Sequence, residues 1–314
     1  MIDVHSHYLP QFLVDALTEA GRTSSISKFP AWSVASCLEL MEEIGVSASI
    51  LSASTPGVHL GNDFQAAALA RRCNEFCAEL FSTTDRKLGG FAALPLPAID
   101  AAMAEMAYAL DVLKLDGIGL LANYEGRFLG DPFFDPLMAE LDQRGAVAFI
   151  HPMGHASSRT LQLSAPLWMV EYPIDTTRAA LNLIINNIPR RFPKIRFILA
   201  HAGGALPFLA GRLGAASLID SRYEHLDEAR VARDVASFYY ETAQASSPAS
   251  FAALKEVASP ERILFGSDFP YCGKAPIRSM VKQLHPNFDA GKANLTTGLL
   301  FPRFALEKLE NPPP

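Results

Sequence analysis

The run AVAFIH at Ala146–His151 decides the fold. It is apolar at every position up to its last, where an imidazole stands. A strand with one wet face would alternate; an unbroken apolar run of this length suits a strand covered on both faces, as in a parallel sheet between helices. The same form recurs at Ile195–His201 and Ile263–Asp268, and in shorter or more mixed runs at Ile2–His7, Ser47–Ser52, Lys87–Ala93, Gly117–Leu121 and Phe238–Thr242. Amphipathic segments lie between them, among them Asp63–Phe81, Ile99–Leu113, Phe134–Arg144, Asp175–Ile188 and Pro248–Val257. Strand and helix in alternation give βαβ units, and eight of them predict an α/β fold closed as a (β/α)₈ TIM-type barrel. No repeat, low-complexity tract or linker divides the chain, so residues 1–314 read as a single domain. Long connections follow strand one (Pro10–Trp32) and strand five (Met153–Pro173), and either is placed to form a lid over the barrel mouth. Asn311–Pro314 reads as a frayed tail.

Composition narrows the function. The 314 residues are 49% hydrophobic and 19% charged, enough to bury a large core. A net charge of -6 and a pI near 5.8 argue against a nucleic-acid protein, which needs a basic face. The start, MIDVHSHYLP, lacks a basic n-region and does not read as a signal peptide. No stretch approaches the roughly eighteen apolar residues of a membrane span. Cys37, Cys73, Cys77 and Cys272 form neither a disulfide framework nor a metal clip, and are expected to be reduced, buried thiols of a cytoplasmic protein.

The histidines fall where chemistry belongs in a barrel. His5 and His7, two apart on a strand, share a face. His151, His201 and Asp268 close strands five, six and eight, and the C-terminal strand ends of such barrels carry the active site. One strand-end histidine is more often a hydrogen-bonded structural residue, and H-x-H alone is a weak signal. Four or five such residues on different strands of one barrel make a metal centre, with His5, His7, His151 and Asp268 as ligands. Three imidazoles and a carboxylate suit Zn²⁺ first, then Fe²⁺ or Mn²⁺. His59, His225 and His285 lie in loops or on polar surfaces and read as structural; so does His155, four after His151. Gly203 and Gly204 let the chain turn sharply after His201, and Pro152 and Pro270 end their strands.

Four stretches together carry a resemblance: IDVHSH at the start, FIHP around His151, LAHAGG around His201 and FGSDFP around Asp268. They resemble the amidohydrolase superfamily, in the branch of 2-amino-3-carboxymuconate-6-semialdehyde decarboxylase and its relatives. SASTPG at Ser52–Gly57, the loop Asn123–Gly126 and YPIDTTRA at Tyr172–Ala179 are similar to the 6-methylsalicylate decarboxylases. The resemblance implies a barrel with one divalent ion, usually zinc, on His5, His7, His151 and Asp268. It implies His201 as the catalytic acid/base. It also implies that Arg212, eleven after His201, reaches a substrate carboxylate in a neighbouring subunit, so that the working unit is a homodimer or larger. Arg212, Trp168 and Asn123 are the expected substrate contacts. Binuclear members carry a carboxylated lysine at the end of strand four; Gly117–Asn123 has none, which points to one ion. The muconate-semialdehyde enzymes have a second substrate arginine in the first long loop, where this chain offers Lys28 and, further back, Arg22. That departure favours a small aromatic acid as substrate.

The expected reaction is a non-oxidative decarboxylation of a small hydroxy-aromatic acid, with the ion as template and Lewis acid. His201 is expected to move the proton, with Asp268 as the alternative donor. Phe12, Phe29, Trp32, Trp168 and Tyr172, in the two long connections, are placed to wall an apolar pocket. Two other readings share these residues. One is a hydrolase of a lactone or amide; the other is a barrel that only binds a metal or a partner.

Overall fold

The computed structural model describes residues 1–22, 28–160, 164–284 and 288–305. His285 and Asn311–Pro314 lie outside the described residues. Eight parallel strands run in chain order around one sheet: β1 (Ile2–His7), β2 (Ala48–Ser52), β3 (Leu88–Ala93), β4 (Gly117–Leu121), β5 (Val147–His151), β6 (Arg196–Leu199), β7 (Tyr239–Glu241) and β8 (Ile263–Leu264). The ring closes beyond the end of β8, where Val4 N–H donates to Phe265 O at 2.9 Å and His7 N–H to Phe269 O at 2.7 Å. The (β/α)₈ barrel expected from the sequence is therefore present.

Helices cover the outside and begin where local chemistry lets them. Asn62 caps Asp63–Thr83 by accepting from Gln65 N–H, and Ser247 caps Pro248–Val257 with proline at the first helical position. The outward strand residues Leu88, Ile118, Ala148, Ile150 and Leu199 pack in the larger core beneath these helices. The barrel interior is a second cluster, formed by Ile2, Val4, Ile50, Phe91, Val147, Phe149, Ile198 and Leu264. Phe91 stacks on Phe149 at 5.3 Å, and Phe301 and Phe304, after the helix Ala290–Leu300, plug the barrel floor. Burying each of these aromatic side chains contributes about 1.5–3 kcal/mol.

β1 departs from simple alternation. Ile2 and Val4 lie in the interior cluster, yet His5 and His7, of opposite parity, also face inward and touch Phe149 and His151. The pairing with β2 shifts register between Asp3 and Ser6, and that irregularity turns the upper half of the strand over. The lower half thus supplies hydrocarbon to the floor and the upper half supplies imidazoles to the mouth.

Two strands end earlier than the apolar runs imply. The backbone leaves β6 at Leu199, and His201 sits outside it with a left-handed φ of 54°. Asp268 likewise has a φ of 60° and lies past β8. Apolar content marks burial, which continues past the last ladder bond, and the left-handed turns at His201 and Asp268 follow after the strands have ended. The long connections carry regular elements of their own. Pro10–Trp32 contains the helix Gln11–Glu19, and Met153–Pro173 contains the 3₁₀ turn Ala156–Thr160 and the start of the helix Glu171–Ile185.

Candidate metal centre and its cavity

The C-terminal ends of β1 and β5 and the turn after β8 bring His5, His7, His151 and Asp268 together, all buried, with one ligating atom from each within 4.8 Å of the others. His5 and His7 present their Nε2 atoms to each other at 3.1 Å. Asp268 Oδ1 lies 3.3 Å from His5 Nε2 and 3.1 Å from His7 Nε2.

The other ring nitrogen of each histidine fixes the tautomer. His5 Nδ1 is 2.8 Å from Glu241 Oε1, His7 Nδ1 is 3.2 Å from Ser52 O, and His151 Nδ1 is 2.7 Å from Pro152 O. These partners are acceptors, so each Nδ1 carries the proton and each Nε2 turns a lone pair toward the same point. Three converging lone pairs and a carboxylate repel one another unless a cation stands among them. The donor set therefore fits a divalent ion, and it is the chemistry of a zinc or similar transition-metal site.

The charges agree with this. Burial lowers the imidazoles of His7 and His151, the latter well below the usual range with the neighbouring imidazoles adding to the effect. Burial opposes a charge on His5 too, but the carboxylates of Glu241 and Asp268 outweigh it and hold this ring up at about 10. Asp268 is raised by burial and lowered more strongly by His5, His201 and His7, so it ends well below the usual carboxylate range. Without metal the two carboxylates thus keep one proton on His5, which a bound cation displaces.

Asp3 secures this arrangement from below. Its carboxylate accepts from His5 N–H at 3.0 Å, Ser267 N–H at 3.1 Å and the Ser267 hydroxyl at 2.6 Å, tying β1 to the segment that carries Asp268. Burial pushes the Asp3 carboxyl up to about 7 against the lowering by those donors.

Above the ligands opens a cavity of about 370 Å³, large enough for a small aromatic molecule. His151, His201 and Asp268 form its base, with Trp168, Tyr172 and Tyr271 among its walls. His201 reaches Asp268 Oδ2 at 3.5 Å through Nε2, while its Nδ1 is buried without a partner among the described residues. Gln244 donates to the same Oδ2 at 2.5 Å. The two oxygens of Asp268 are thus divided, one facing the histidine cluster and one facing His201 and Gln244. Among the described residues, no lysine or arginine lines this cavity.

The other expected site residues are placed differently. Trp168 is at the cavity as expected. Asn123 is buried beside it without lining it, and donates both ways to Asp175 at 3.0 and 3.1 Å. Asp175 in turn accepts from Met153 and Gly154 N–H, so Asn123 helps anchor the loop after β5. Arg212 lies in the last turn of the helix Leu206–Gly214, exposed and without an ion-pair partner among the described residues. Of the five aromatics in the long connections, Trp168 and Tyr172 line the cavity, whereas Phe12 and Trp32 pack on Phe76 at 5.9 and 6.0 Å and Phe29 packs on the outer core. His155 stacks on Phe128, His59 pairs with Asp63 and His225 reaches Ile185 O, all away from the cluster. The four cysteines are free and buried.

Sequence reasoning missed Glu241, Gln244 and Tyr271. Glu241 had a signal: a carboxylate near the end of the otherwise apolar and aromatic run Phe238–Thr242. Gly266 was a second, since a Cβ there would stand 1.8 Å from Glu241 Oε2. Gln244 and Tyr271 sit in turns, where sequence gives no direction for a side chain.

Known proteins resemble this chain in sequence and in fold. The chain is 36% identical over 273 residues to the 6-methylsalicylic acid decarboxylase of Penicillium expansum, covering 86% of this chain and 84% of that one. The crystal structure of an amidohydrolase II superposes with a TM-score of 0.88 at 26% identity, covering 95% of this chain and 98% of that one. A dihydroxybenzoic acid decarboxylase from Polaromonas sp., solved with manganese and the inhibitor 2-nitroresorcinol, has the same fold, with a TM-score of 0.82 at 19% identity over 99% of each chain. The family profile for amidohydrolases matches residues 2–287, and the chain belongs to that family.

Proposed function

We propose that the protein is a metal-dependent, non-oxidative decarboxylase of a small hydroxy-aromatic acid of the 6-methylsalicylate kind. The observation that carries this reading is the identity with a 6-methylsalicylic acid decarboxylase over most of both chains. The geometry supports it: an aromatic-walled cavity opens directly onto the ligand cluster.

His5, His7, His151 and Asp268 hold the ion, for which zinc is proposed on the strength of three imidazole donors. Bound there, the ion would supply Lewis-acid chemistry to an acidic substrate. Trp168, Tyr172 and Tyr271 confine the ring and exclude water. His201 delivers a proton to the ring carbon that bears the carboxylate, with Asp268 Oδ2 orienting its Nε2. The bond from that carbon to the carboxylate then breaks, its electron pair restores the aromatic ring, and CO₂ leaves. Proton gained and CO₂ lost balance the reaction without a redox cofactor.

Among the described residues the cavity lining holds no cationic side chain for a carboxylate, and Arg212 has no ion-pair partner on a surface that also exposes Phe208, Leu218 and Ile219. We therefore propose a homodimer in which Arg212 serves the neighbour's cavity. Free, buried cysteines fit a reducing compartment, the cytoplasm. No helix among the described residues is long and apolar enough to cross a membrane.

A panel of salicylates assayed for CO₂ release tests the reading. Release from 6-methylsalicylate or a close analogue, dependent on a divalent ion, is the expected result. No release from any of them, with turnover of lactones or amides, overturns it in favour of a hydrolase.

A further inference from the structure

We infer that Glu241 is a positioning residue that sets the metal-binding tautomer of His5 and the placement of His201 through a single carboxylate oxygen. The inference rests on the roles proposed above for the ligand cluster and for His201.

Glu241 is fully buried at the end of β7. Its Oε1 accepts from His5 Nδ1 at 2.8 Å and from the backbone N–H of His201 at 2.5 Å, and its Oε2 accepts from Ala243 N–H at 2.6 Å. All three partners are N–H donors, so the group must be an acceptor at both oxygens.

Each bond constrains a different part of the site. The bond to His5 Nδ1 makes Nε2 the atom that faces His7 and Asp268 and that would meet a metal ion. The bond to His201 N–H holds a non-glycine residue in the left-handed region, which side chains ordinarily avoid. Ala202, at φ 55°, and Gly203 and Gly204 continue the same turn. From there the ring of His201 returns to Asp268. A shift of Oε1 therefore moves a ligand and the proton carrier together. The surroundings leave the carboxylate no room to drift: a Cβ at Gly266 would lie 1.8 Å from Oε2 and 2.9 Å from His5 Cβ.

A glutamine at this position cannot replace the group. With its amide oxygen toward His5 and His201, its NH₂ meets Ala243 N–H; turned over, it meets both of the others. The experiment compares wild type, Glu241→Gln and Glu241→Asp, the last keeping the carboxylate but withdrawing it by one methylene. Metal affinity is read by competition with a chromophoric chelator, and kcat and KM are read at saturating metal. The tautomer of His5 is read from ¹⁵N shifts of labelled histidine in wild type, which requires no variant to fold and no substrate.

The expected result is metal affinity weakened about 10–100-fold in both variants, a fall in kcat of at least about tenfold that excess metal does not restore, and little change in KM. In wild type, His5 should be protonated at Nδ1 with and without metal. Full recovery of kcat at saturating metal confines Glu241 to His5 and overturns the shared role. Unchanged metal affinity, or a wild-type His5 protonated only at Nε2, overturns the inference entirely. The affinity and tautomer readings stand whatever the substrate proves to be, so a wrong substrate class and a wrong role for Glu241 give different results.

Discussion

Replacing His151 by alanine removes one of four donor atoms that lie within 4.8 Å of one another. Four-ligand protein sites bind zinc with an apparent free energy of about 10–16 kcal/mol, so one ligand of four carries roughly 2.5–4 kcal/mol, or about two to three orders of magnitude in affinity. Bound metal stabilises the fold by mass action: at about 100 times its dissociation constant it adds roughly 2.7 kcal/mol. In a chain of this size, at about 2 °C per kcal/mol, chelation should lower the wild-type Tm by roughly 5 °C. A site weakened ~300-fold at the same free metal retains about 0.2 kcal/mol, and chelation should move the variant's Tm by less than ~1 °C. Comparing each protein with and without chelator cancels the cost of the lost side chain itself. Metal analysis after gel filtration completes the assay, with about one ion per wild-type chain expected and little in His151→Ala. A variant that keeps a full complement of metal and the 5 °C response would refute the site as drawn.

His201→Ala should retain its metal and lose turnover by about two to four orders of magnitude, because its ring contacts Asp268 Oδ2 and is not one of the four donors; loss of the ion from this variant would place His201 among the ligands. Coexpressed His201→Ala and Arg212→Ala chains, each inactive alone, should recover roughly a quarter of wild-type activity through mixed dimers with one intact site. Activity at background in the mixture, or a fully active monomer, removes the cross-subunit role of Arg212. Burial pushes the thiols of Cys37, Cys73 and Cys272 up to about 12, with Asp3 adding to the effect at Cys37 and Asp268 at Cys272. Only about one in 10⁴ of these thiols is ionised at pH 8, so a thiolate-directed reagent should leave the native protein unlabelled there and reach all four cysteines in denaturant. Rapid native labelling at pH 8 would contradict the packing.

The barrel was legible because each strand of a parallel ring must be apolar on both faces, and only the mouth admits polar groups. His151 shows the rule plainly: five buried strand residues, of which the last is the proposed ligand. The ends of β6 and β8 were less legible, since Ala200 and Phe265 are as buried as their strands while the chain has already begun to turn. Asn123 shows another limit. Its resemblance to a substrate loop is a matter of local sequence, but its direction is set by Asp175, fifty-two residues on. Glu241 escaped notice because a glutamate in a strand ordinarily faces water; three buried N–H donors, two of them from other segments, reverse that expectation.

His7 and Asp268 touch across 261 residues of chain, and His5 and Glu241 across 236. Contacts of such separation form late, because the entropy of closing so long a loop must be overcome before any pairing returns energy. During synthesis β1 emerges first, and its two histidines remain without their carboxylate partners until β7 and β8 have been made. A nascent or truncated chain thus offers a cation two imidazoles at most from the first strand. In the proposed site the carboxylate donor arrives last, so tight metal binding would wait for the segment after β8, and a chain lost before it would hold the ion only weakly.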